Sequence, residues 1–240
     1  MPRDVSSPAA REQLRALAAR AARPVAEGGP GVASPSAADA ALEPGTRAAA
    51  VLVLFGVLDG SPSDHAADAA VSRDLDVLLL ARAATLRSHP GQVALPGGRI
   101  DPGDAGPVEA ALREAREETG LDTAGVEVLG ELSPLPLEYS RHLVTPVLAW
   151  WRRPSPVRVV DVAESAAVFR APVADLLSPA HRVVTVLHRD GQEWRGPGFV
   201  VHDPAGDHLV WGFTAMLLDG LFDELGWTED WDRGRELLLP

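Results

Sequence analysis

The sequence contains no cysteine and no lysine, and all 22 of its basic residues are arginine. The absence of cysteine excludes disulfide scaffolds, thiolate zinc sites and cysteine nucleophiles. The absence of lysine excludes the lysine chemistry of Walker-A motifs, Schiff-base enzymes and kinases. We interpret the exclusive use of arginine as genome composition rather than as a functional feature.

Long apolar runs and a positive net charge are also missing. No run of 18 apolar residues occurs, so we expect no transmembrane helix, and the N-terminus lacks the apolar core of a secretory signal. A net charge of -12 disfavours binding to nucleic acid, whose phosphates repel an acidic chain. We therefore expect a cytoplasmic protein, a monomer or homodimer, that binds neither nucleic acid nor membrane. Its partner would be a small molecule.

The first 46 residues differ in composition from the rest of the chain. Residues 9–23 are rich in arginine and alanine with a helical pattern, and residues 24–46 are rich in Pro, Gly, Ala and Ser. We interpret residues 1–46 as a peripheral helix and a linker, a composition also compatible with disorder, and residues 47–240 as the main domain. An organellar targeting peptide would look similar, but Asp4 and Glu12 argue against it.

Strand and helix patterns are mixed along the main domain. We predict helices at 107–119, 171–177 and 209–225, and strands at 47–58, 76–83, 125–132, 144–151, 157–162, 181–187 and 198–202. Because these elements do not alternate strictly, the pattern favours an α/β fold with a mixed sheet over a doubly wound parallel sheet.

The helix predicted at 107–119 has clear signals at both ends and an acidic face. Pro107 suits the first helical position, and Gly120 suits the left-handed position after the last turn. Glu114, Glu117 and Glu118 lie on one face because residues three and four apart are neighbours on a helix. Crowded carboxylates become favourable when cations lie between them, and carboxylate oxygens suit Mg²⁺ or Mn²⁺.

A simpler interpretation of the same residues is a solvated helix face with salt bridges from Arg113 to Glu109 and Glu117, each four residues away. The turn that precedes the helix argues for a ligand instead. Gly97 and Gly98 belong to a Leu-Pro-Gly-Gly sequence, and glycines let backbone N–H groups approach a phosphate closely.

Residues 113–121 resemble the second half of the signature of the Nudix hydrolases: Arg-Glu, an apolar residue, any residue, Glu-Glu, any residue, Gly and an apolar residue. The first half, a glycine followed after five residues by glutamate, is matched by Gly98 and by Asp104 in place of glutamate. Eight residues separate Asp104 from Arg113, where the signature has seven. The departure puts the role of Asp104 in doubt and leaves the metal-binding half untouched.

A second resemblance lies upstream and is more selective. Nudix enzymes that act on coenzyme A carry Arg, Ser or Ala, three residues, Arg, three residues, Gly, three residues, and Phe or Leu before Pro-Gly-Gly. Arg82, Arg87, Gly91 and Leu95 match this spacing up to Gly98. The subfamily's motif opens with a Leu-Leu pair, for which residues 78–80 are the counterpart.

The resemblance implies a Nudix fold, in which a mixed sheet lies between helices (α/β/α), and hydrolysis of a diphosphate bond with Mg²⁺ or Mn²⁺. It implies Glu114, Glu117 and Glu118 as metal ligands and Arg113 as the residue that orients them. The general base is Glu114 or Glu164, although Glu164 is also compatible with a plain surface position. Substrate contacts are expected from Arg82, Arg87 and Arg99, with the arginines facing the 3′-phosphate of CoA, and from Gly97 and Gly98.

Two other interpretations compete with a CoA diphosphatase. One is a Nudix hydrolase of ADP-ribose, NADH or a nucleoside triphosphate, because recognition motifs within a superfamily are weaker guides than the catalytic site. The other is a ligand-sensing domain without turnover, although such domains usually lose the glutamates that this sequence keeps. A zinc site is not expected, since the seven histidines form no His-x-x-x-His pair.

Overall fold

The computed structural model describes residues 7–22, 45–57, 63, 65, 71–85, 91–137, 141–189, 191–203 and 206–239. Four α-helices occur in this part of the chain: α1 (Ser7–Ala21), α2 (Pro107–Thr119), α3 (Val173–Leu177) and α4 (Gly212–Leu225). The strands before α2 are β1 (Arg47–Val57), β2 (Leu75–Arg82), β3 (Val93–Ala94) and β4 (Gly97–Arg99). Those after it are β5 (Val126–Glu131), β6 (Leu135–Leu137), β7 (His142–Trp151), β8 (Ser165–Pro172), β9 (Arg182–Arg189), β10 (Gln192–Asp203), β11 (Gly206–Val210) and β12 (Glu236–Leu238).

The helix that carries the acidic face has the predicted limits. Helix α2 starts at Pro107 after Gly106, and Gly120 follows it with φ 69°, in the left-handed region. The Gly120 N–H donates to the carbonyl of Arg116, which satisfies one of the carbonyl groups left free at a helix end. The two end signals therefore place the glutamates on the helix in the predicted register.

The larger sheet has eight strands and mixed directions. Its central path runs β3-β2-β1-β7-β5, while β4 pairs with β1, β6 with β7 and β8 with β2. Strands β1 and β7 are parallel, whereas the other pairs in this sheet are antiparallel. This confirms the predicted mixed sheet.

Both faces of the larger sheet are buried, in line with the mostly apolar sequence of its central strands. Leu52 and Leu54 of β1 pack with α2, and the alternate residues Val53 and Phe55 pack with the cluster on the other face. That other cluster contains buried residues of α1, α3, α4 and the smaller sheet, β11-β10-β9-β12. The mixed sheet thus lies between helices, and the α/β/α fold class is confirmed.

Helix α1 belongs to this second cluster. Leu14 and Leu17 are fully buried, and the indole N–H of Trp227 donates to Gln13 at 2.6 Å. Arg15 pairs with Glu127 of β5 at 2.6 Å. A helix that the sequence suggested as peripheral therefore packs its apolar side into the core, while the division of the chain at residue 46 stays a prediction.

The strand predicted at 157–162 is wrong. These residues form no strand, and the N–H of Arg158 donates to the carbonyl of Thr119 at 2.9 Å instead of joining a sheet. Val162 is 82% exposed, so the β-branched residues that suggested a strand have no sheet to pack on. The strand at this end of the sheet is β8, which pairs with β2.

The helix predicted from residue 209 begins three residues later. Leu209 and Val210 pair with Val200 and Phe199 of β10, so their apolar spacing belongs to a hairpin and not to a helix. The helix predicted at 171–177 begins at Val173, because the two residues before it end β8. Strands β9 and β10 are also longer than predicted, and strands β3, β4, β6, β8, β11 and β12 were not predicted. No helix in the described part of the chain is long and apolar enough to cross a membrane.

Candidate active site

The site lies where β1 and β2 separate. The C-terminal part of β1 pairs with β2 through Phe55 and Val77, whereas its N-terminal part pairs with β4 through Val51 and Gly97. The chain reaches β4 from β3, which pairs with β2. Segment β3–β4 therefore fills the gap between the two strands and presents one edge of β4 to α2.

Gly97 and Gly98 are required by packing at this gap. A Cβ atom on Gly97 would overlap the carbonyl of Ala50 in β1, and a Cβ atom on Gly98 would overlap the carboxylate of Glu114. The sequence suggested that these glycines let backbone approach a phosphate. The structure adds a reason within the protein: β4 must approach both β1 and α2 closely. Their contact with a substrate stays a prediction.

Arg113 joins the elements around the acidic face. Its Nε and Nη2 donate to the two carboxylate oxygens of Asp104, each at 3.0 Å, and its Nη2 also donates to the carbonyl of Arg99 at 3.0 Å. Its Nη1 donates to Glu114 at 3.0 Å and to Glu117 at 3.2 Å. One guanidinium group thus holds the loop before α2, the end of β4 and two of the three glutamates.

These contacts settle where Asp104 lies despite its displaced position in the sequence. Its side chain is only 5% exposed and accepts two hydrogen bonds from Arg113. Hydrogen bonding by Arg113 lowers the pKa of Asp104, and the same bonds are the main reason that the pKa of Arg113 is raised. The extra residue before Arg113 therefore does not prevent the pair from forming.

Glu118 has different surroundings. Its carboxylate accepts the N–H of Gly97 at 2.9 Å, on the edge of β4 that faces away from β1. Burial raises the pKa of Glu118 to about 7, an effect that the Gly97 hydrogen bond opposes and the charge of Glu114 strengthens. Burial also raises the pKa of Glu114 itself. The α2 face thus holds carboxylates whose charges burial disfavours.

Two residues distant in sequence lie close to Glu118. The charge of Arg82 lowers the pKa of Glu118 and that of Glu164 raises it, so both groups are within electrostatic reach. Arg82 ends β2 and is paired with Ser165, the first residue of β8, and the N–H of Ala83 donates to the carbonyl of Glu164 at 2.8 Å. Pairing of β2 with β8 therefore brings the upstream arginine and the exposed Glu164 to the acidic helix.

The other residues predicted for the site are Glu117, Arg99 and Arg87. Glu117 is half exposed and turns toward Arg113. The side chain of Arg99 is exposed, while Arg87 lies outside the described residues. Asp101, which sequence reasoning missed, lies 3.7 Å from Arg113 and raises the pKa of Glu114. Its position two residues after Arg99, at the end of β4, was the only signal available.

The glutamates have the donor chemistry of a site for hard divalent cations, because each offers carboxylate oxygens. Among the described residues, however, no three acidic, histidine or cysteine side chains are arranged to hold a metal ion. The hydrogen bonds above explain this arrangement: Arg113 engages Glu114 and Glu117, and Gly97 engages Glu118. The residue types fit a metal ion. Its binding would require these carboxylates to give up hydrogen bonds to Arg113 or to the Gly97 N–H and to coordinate the metal instead.

Comparisons with known proteins agree with the geometry. A family model described as NUDIX domain matches residues 63–185. An "Uncharacterized Nudix hydrolase NudL" of Photorhabdus laumondii is 38% identical over 149 residues, which cover 62% of this chain and 76% of the relative. A protein of the same description from Cronobacter sakazakii is 38% identical over 150 residues, covering 62% of this chain and 75% of the relative.

Solved structures are similar over part of the chain. An Ap4A hydrolase binary complex from C. elegans has 23% identity and a TM-score of 0.38, covering 51% of this chain and 77% of that one. A MutT/nudix family protein from Enterococcus faecalis has 17% identity and a TM-score of 0.44, covering 75% of this chain and 62% of that one. The family model and the two Nudix hydrolase relatives show, without the solved structures, that the chain belongs to the Nudix family and is a hydrolase of that family.

Proposed function

We propose that this Nudix hydrolase cleaves the diphosphate bond of coenzyme A or of CoA esters. The products are 3′,5′-ADP and 4′-phosphopantetheine, which keeps its acyl group when the substrate is an ester. Water adds to one phosphorus atom of the diphosphate, and the bond from that phosphorus to the bridging oxygen breaks. The water proton passes to a carboxylate of the protein, and the second phosphate leaves with the bridging oxygen.

One observation carries this proposal. Arg82, the first residue of the upstream motif, lies within electrostatic reach of Glu118 on the acidic helix. The guanidinium Nε of Arg82 is buried and has no hydrogen-bond partner among the described residues. No described group therefore engages this guanidinium by hydrogen bonding at Nε, and its charge is available to a substrate phosphate near Glu118. This position of Arg82 near helix α2 supports the proposal, because Arg82 belongs to the motif that resembles that of CoA enzymes.

The metal ion is part of the proposal. Glu114, Glu117 and Glu118 would hold Mg²⁺ or Mn²⁺, which when bound neutralises diphosphate oxygens and lowers the pKa of the attacking water. Arg113 would keep Glu114 and Glu117 on the substrate side of α2, and its bond to the carbonyl of Arg99 would hold β4 at a fixed distance from the helix. The Gly97 N–H would position Glu118.

Two residues remain candidates for the general base. Glu114 lies on α2 beside Arg113, whose hydrogen bond favours the ionised carboxylate that a base must be. Glu164 lies near Glu118 on the other side of the gap and is exposed to water. A Glu164→Gln variant with full turnover would remove Glu164 from the mechanism and leave Glu114.

The proposal is tested by incubating the purified protein with CoA, ADP-ribose, NADH and dATP, each with Mg²⁺, Mn²⁺ or EDTA. We expect metal-dependent release of 3′,5′-ADP from CoA well above turnover of the other compounds, identified by mass. Preferential turnover of another compound would overturn the CoA assignment and keep the metal chemistry. No turnover of any compound with metal binding intact would indicate a sensing domain.

A further inference from the structure

We propose that Arg47 and Arg141, together with Arg99, form a subsite for a phosphate remote from the diphosphate that is cleaved, which in CoA is the 3′-phosphate. This inference rests on the proposed function and adds residues that the two sequence motifs do not contain. The three arginines come from the starts of β1 and β7 and from the end of β4.

Strand pairing places these residues at one end of the sheet. Arg99 of β4 is opposite Ala49 of β1, and Arg47 lies two residues before Ala49, so Arg47 and Arg99 point to the same face. Strand spacing separates them by about 5 Å across the sheet and about 7 Å along it, within reach of two arginine side chains meeting one phosphate. Arg47 is also in register with His142, the first residue of β7.

Arg141 joins the group through the turn before β7. Its carbonyl accepts the N–H of Arg47 at 2.9 Å, and its Nη1 lies 4.0 Å from the position that a Cβ on Gly45 would occupy. The guanidinium of Arg141 therefore lies over the chain that leads into β1. Its φ of 51° is in the left-handed region, where glycine or asparagine is the less strained choice.

The charges of these arginines are not used within the described structure. Their side chains are exposed, and none pairs with a carboxylate in the part of the chain described. Other arginines of this acidic protein do pair, as Arg113 does with Asp104 and Arg170 with Asp76. A group of free guanidinium groups in a chain of net charge -12 is suited to bind an anion, and guanidinium geometry matches phosphate.

The group is connected to the catalytic helix through β4. Arg99 is the residue after Gly98, and its carbonyl accepts a hydrogen bond from Arg113 at 3.0 Å. Because the absent Cβ of Gly98 faces Glu114, the next side chain leaves the strand on the opposite face. The diphosphate of a substrate would lie beside Gly97 and Glu118. Its ribose would then pass around the end of β4 and bring the remote phosphate to the arginines on the other face.

The test compares substrates that differ only in the 3′-phosphate. We would measure kcat/KM of the full-length protein for CoA and for dephospho-CoA with Mg²⁺, in wild type, Arg47→Gln and Arg141→Gly. The ratio of the two kcat/KM values should fall about tenfold in each variant, the effect of losing one charged hydrogen bond. Arg141→Gly suits the left-handed turn, so misfolding would not explain a loss. Arg152→Ala removes an exposed arginine just beyond the opposite end of β7 and should leave the ratio unchanged.

A metal-free measurement separates this inference from the proposed function. Calorimetry in EDTA should show that wild type binds 3′,5′-ADP more tightly than AMP, and that Arg47→Gln and Arg141→Gly lose this difference. A wild type that prefers CoA, with variants that keep the preference, would overturn the subsite alone and return the 3′-phosphate to Arg87. A wild type with no preference for the 3′-phosphate in either assay would overturn the subsite, and a wild type that does not hydrolyse CoA would overturn the proposed function.

Discussion

Asp76 and Glu118 are both carboxylates whose charged form is disfavoured by burial, but their neighbouring groups differ. Burial raises the pKa of Asp76 to about 6 and that of Glu118 to about 7. Asp76 has a guanidinium partner, since Arg170 lies 2.6 Å from its carboxylate. The Glu118 carboxylate is favoured by one backbone N–H and by the charge of Arg82, while the charges of Glu114 and Glu164 act against it. Asp76 thus has a salt-bridge partner within the larger sheet, whereas Glu118 forms no salt bridge with a described basic residue, which suits the cation-ligand role that we propose for it.

The largest effect is expected from breaking the structural pair. In Arg170→Ala, Asp76 stays buried without its partner, and the free energy of unfolding should fall by about 3–5 kcal/mol. The variant also removes the packing of Arg170 over Trp151, 4.8 Å from the ring centre. Denaturant unfolding measures the change. Arg195→Ala removes an exposed pair with Glu236 and should cost less than about 1 kcal/mol; an equal cost in the two variants would contradict the comparison.

The opposite behaviour is expected at Glu118. Glu118→Gln should lower kcat at least about 100-fold, because it removes a carboxylate that we propose as a ligand of the metal ion. Its unfolding free energy in EDTA should be equal to that of wild type or higher, since the variant no longer buries a charge. Turnover assays and denaturant unfolding measure the two quantities, with the exposed Glu131→Gln as control. A large loss of stability with unchanged kcat would make Glu118 a structural residue like Asp76.

The two glycines of β4 allow a finer separation of stability from activity. Gly97→Ala places a methyl group against the backbone of β1 and should cost about 1–3 kcal/mol of stability. Gly98→Ala meets the movable carboxylate of Glu114, so it should cost less stability and lower kcat about tenfold. Gly103→Ala, where nothing lies within 4 Å, is the matched control. Equal changes in both quantities at 97 and 98 would refute the distinction.

The most gradual effect concerns the pH dependence of stability. The pKa of Asp76 is about 6 in the folded protein and 3.8 in the unfolded chain, so the folded state binds the proton more tightly. This contribution to stability is complete below pH 3.8 and is lost as the pH rises through 6. It amounts to at most about 3 kcal/mol. Between pH 4 and 7, the unfolding free energy of wild type should fall more steeply with pH than that of Asp76→Asn. An equal change with pH in the two proteins would contradict this prediction.

Helix α2 could be predicted from the sequence because its signals are local. Pro107 and Gly120 act on the backbone at their own positions, and the spacing of the glutamates determines their face whatever the rest of the fold does. The nearness of Arg82 and Glu164 to the helix was predicted only through the family resemblance. It depends on pairing between β2 and β8, strands more than 80 residues apart in the chain.

The strand predicted at 157–162 and the start of the helix predicted at residue 209 were wrong because the local pattern of apolar residues is compatible with more than one structure. Val160 and Val162 have the β-branched side chains of a strand, but they pair with no strand in the described part of the chain. The Arg158 N–H donates instead to the carbonyl of Thr119 at the end of α2. Leu209 and Val210 have apolar spacing compatible with a helix, but their backbone groups pair with β10. In both cases the decisive factor is a distant hydrogen-bonding partner, which hydrophobic periodicity does not encode.

The Gly97 N–H has a further consequence for experiments. It is a backbone amide whose hydrogen-bond acceptor is the carboxylate of Glu118, not another backbone group. Any cation that draws this carboxylate away leaves the amide without its acceptor and changes its rate of exchange with solvent. Hydrogen exchange at a single glycine would therefore report occupancy of the acidic site directly, without a substrate and without an attached label.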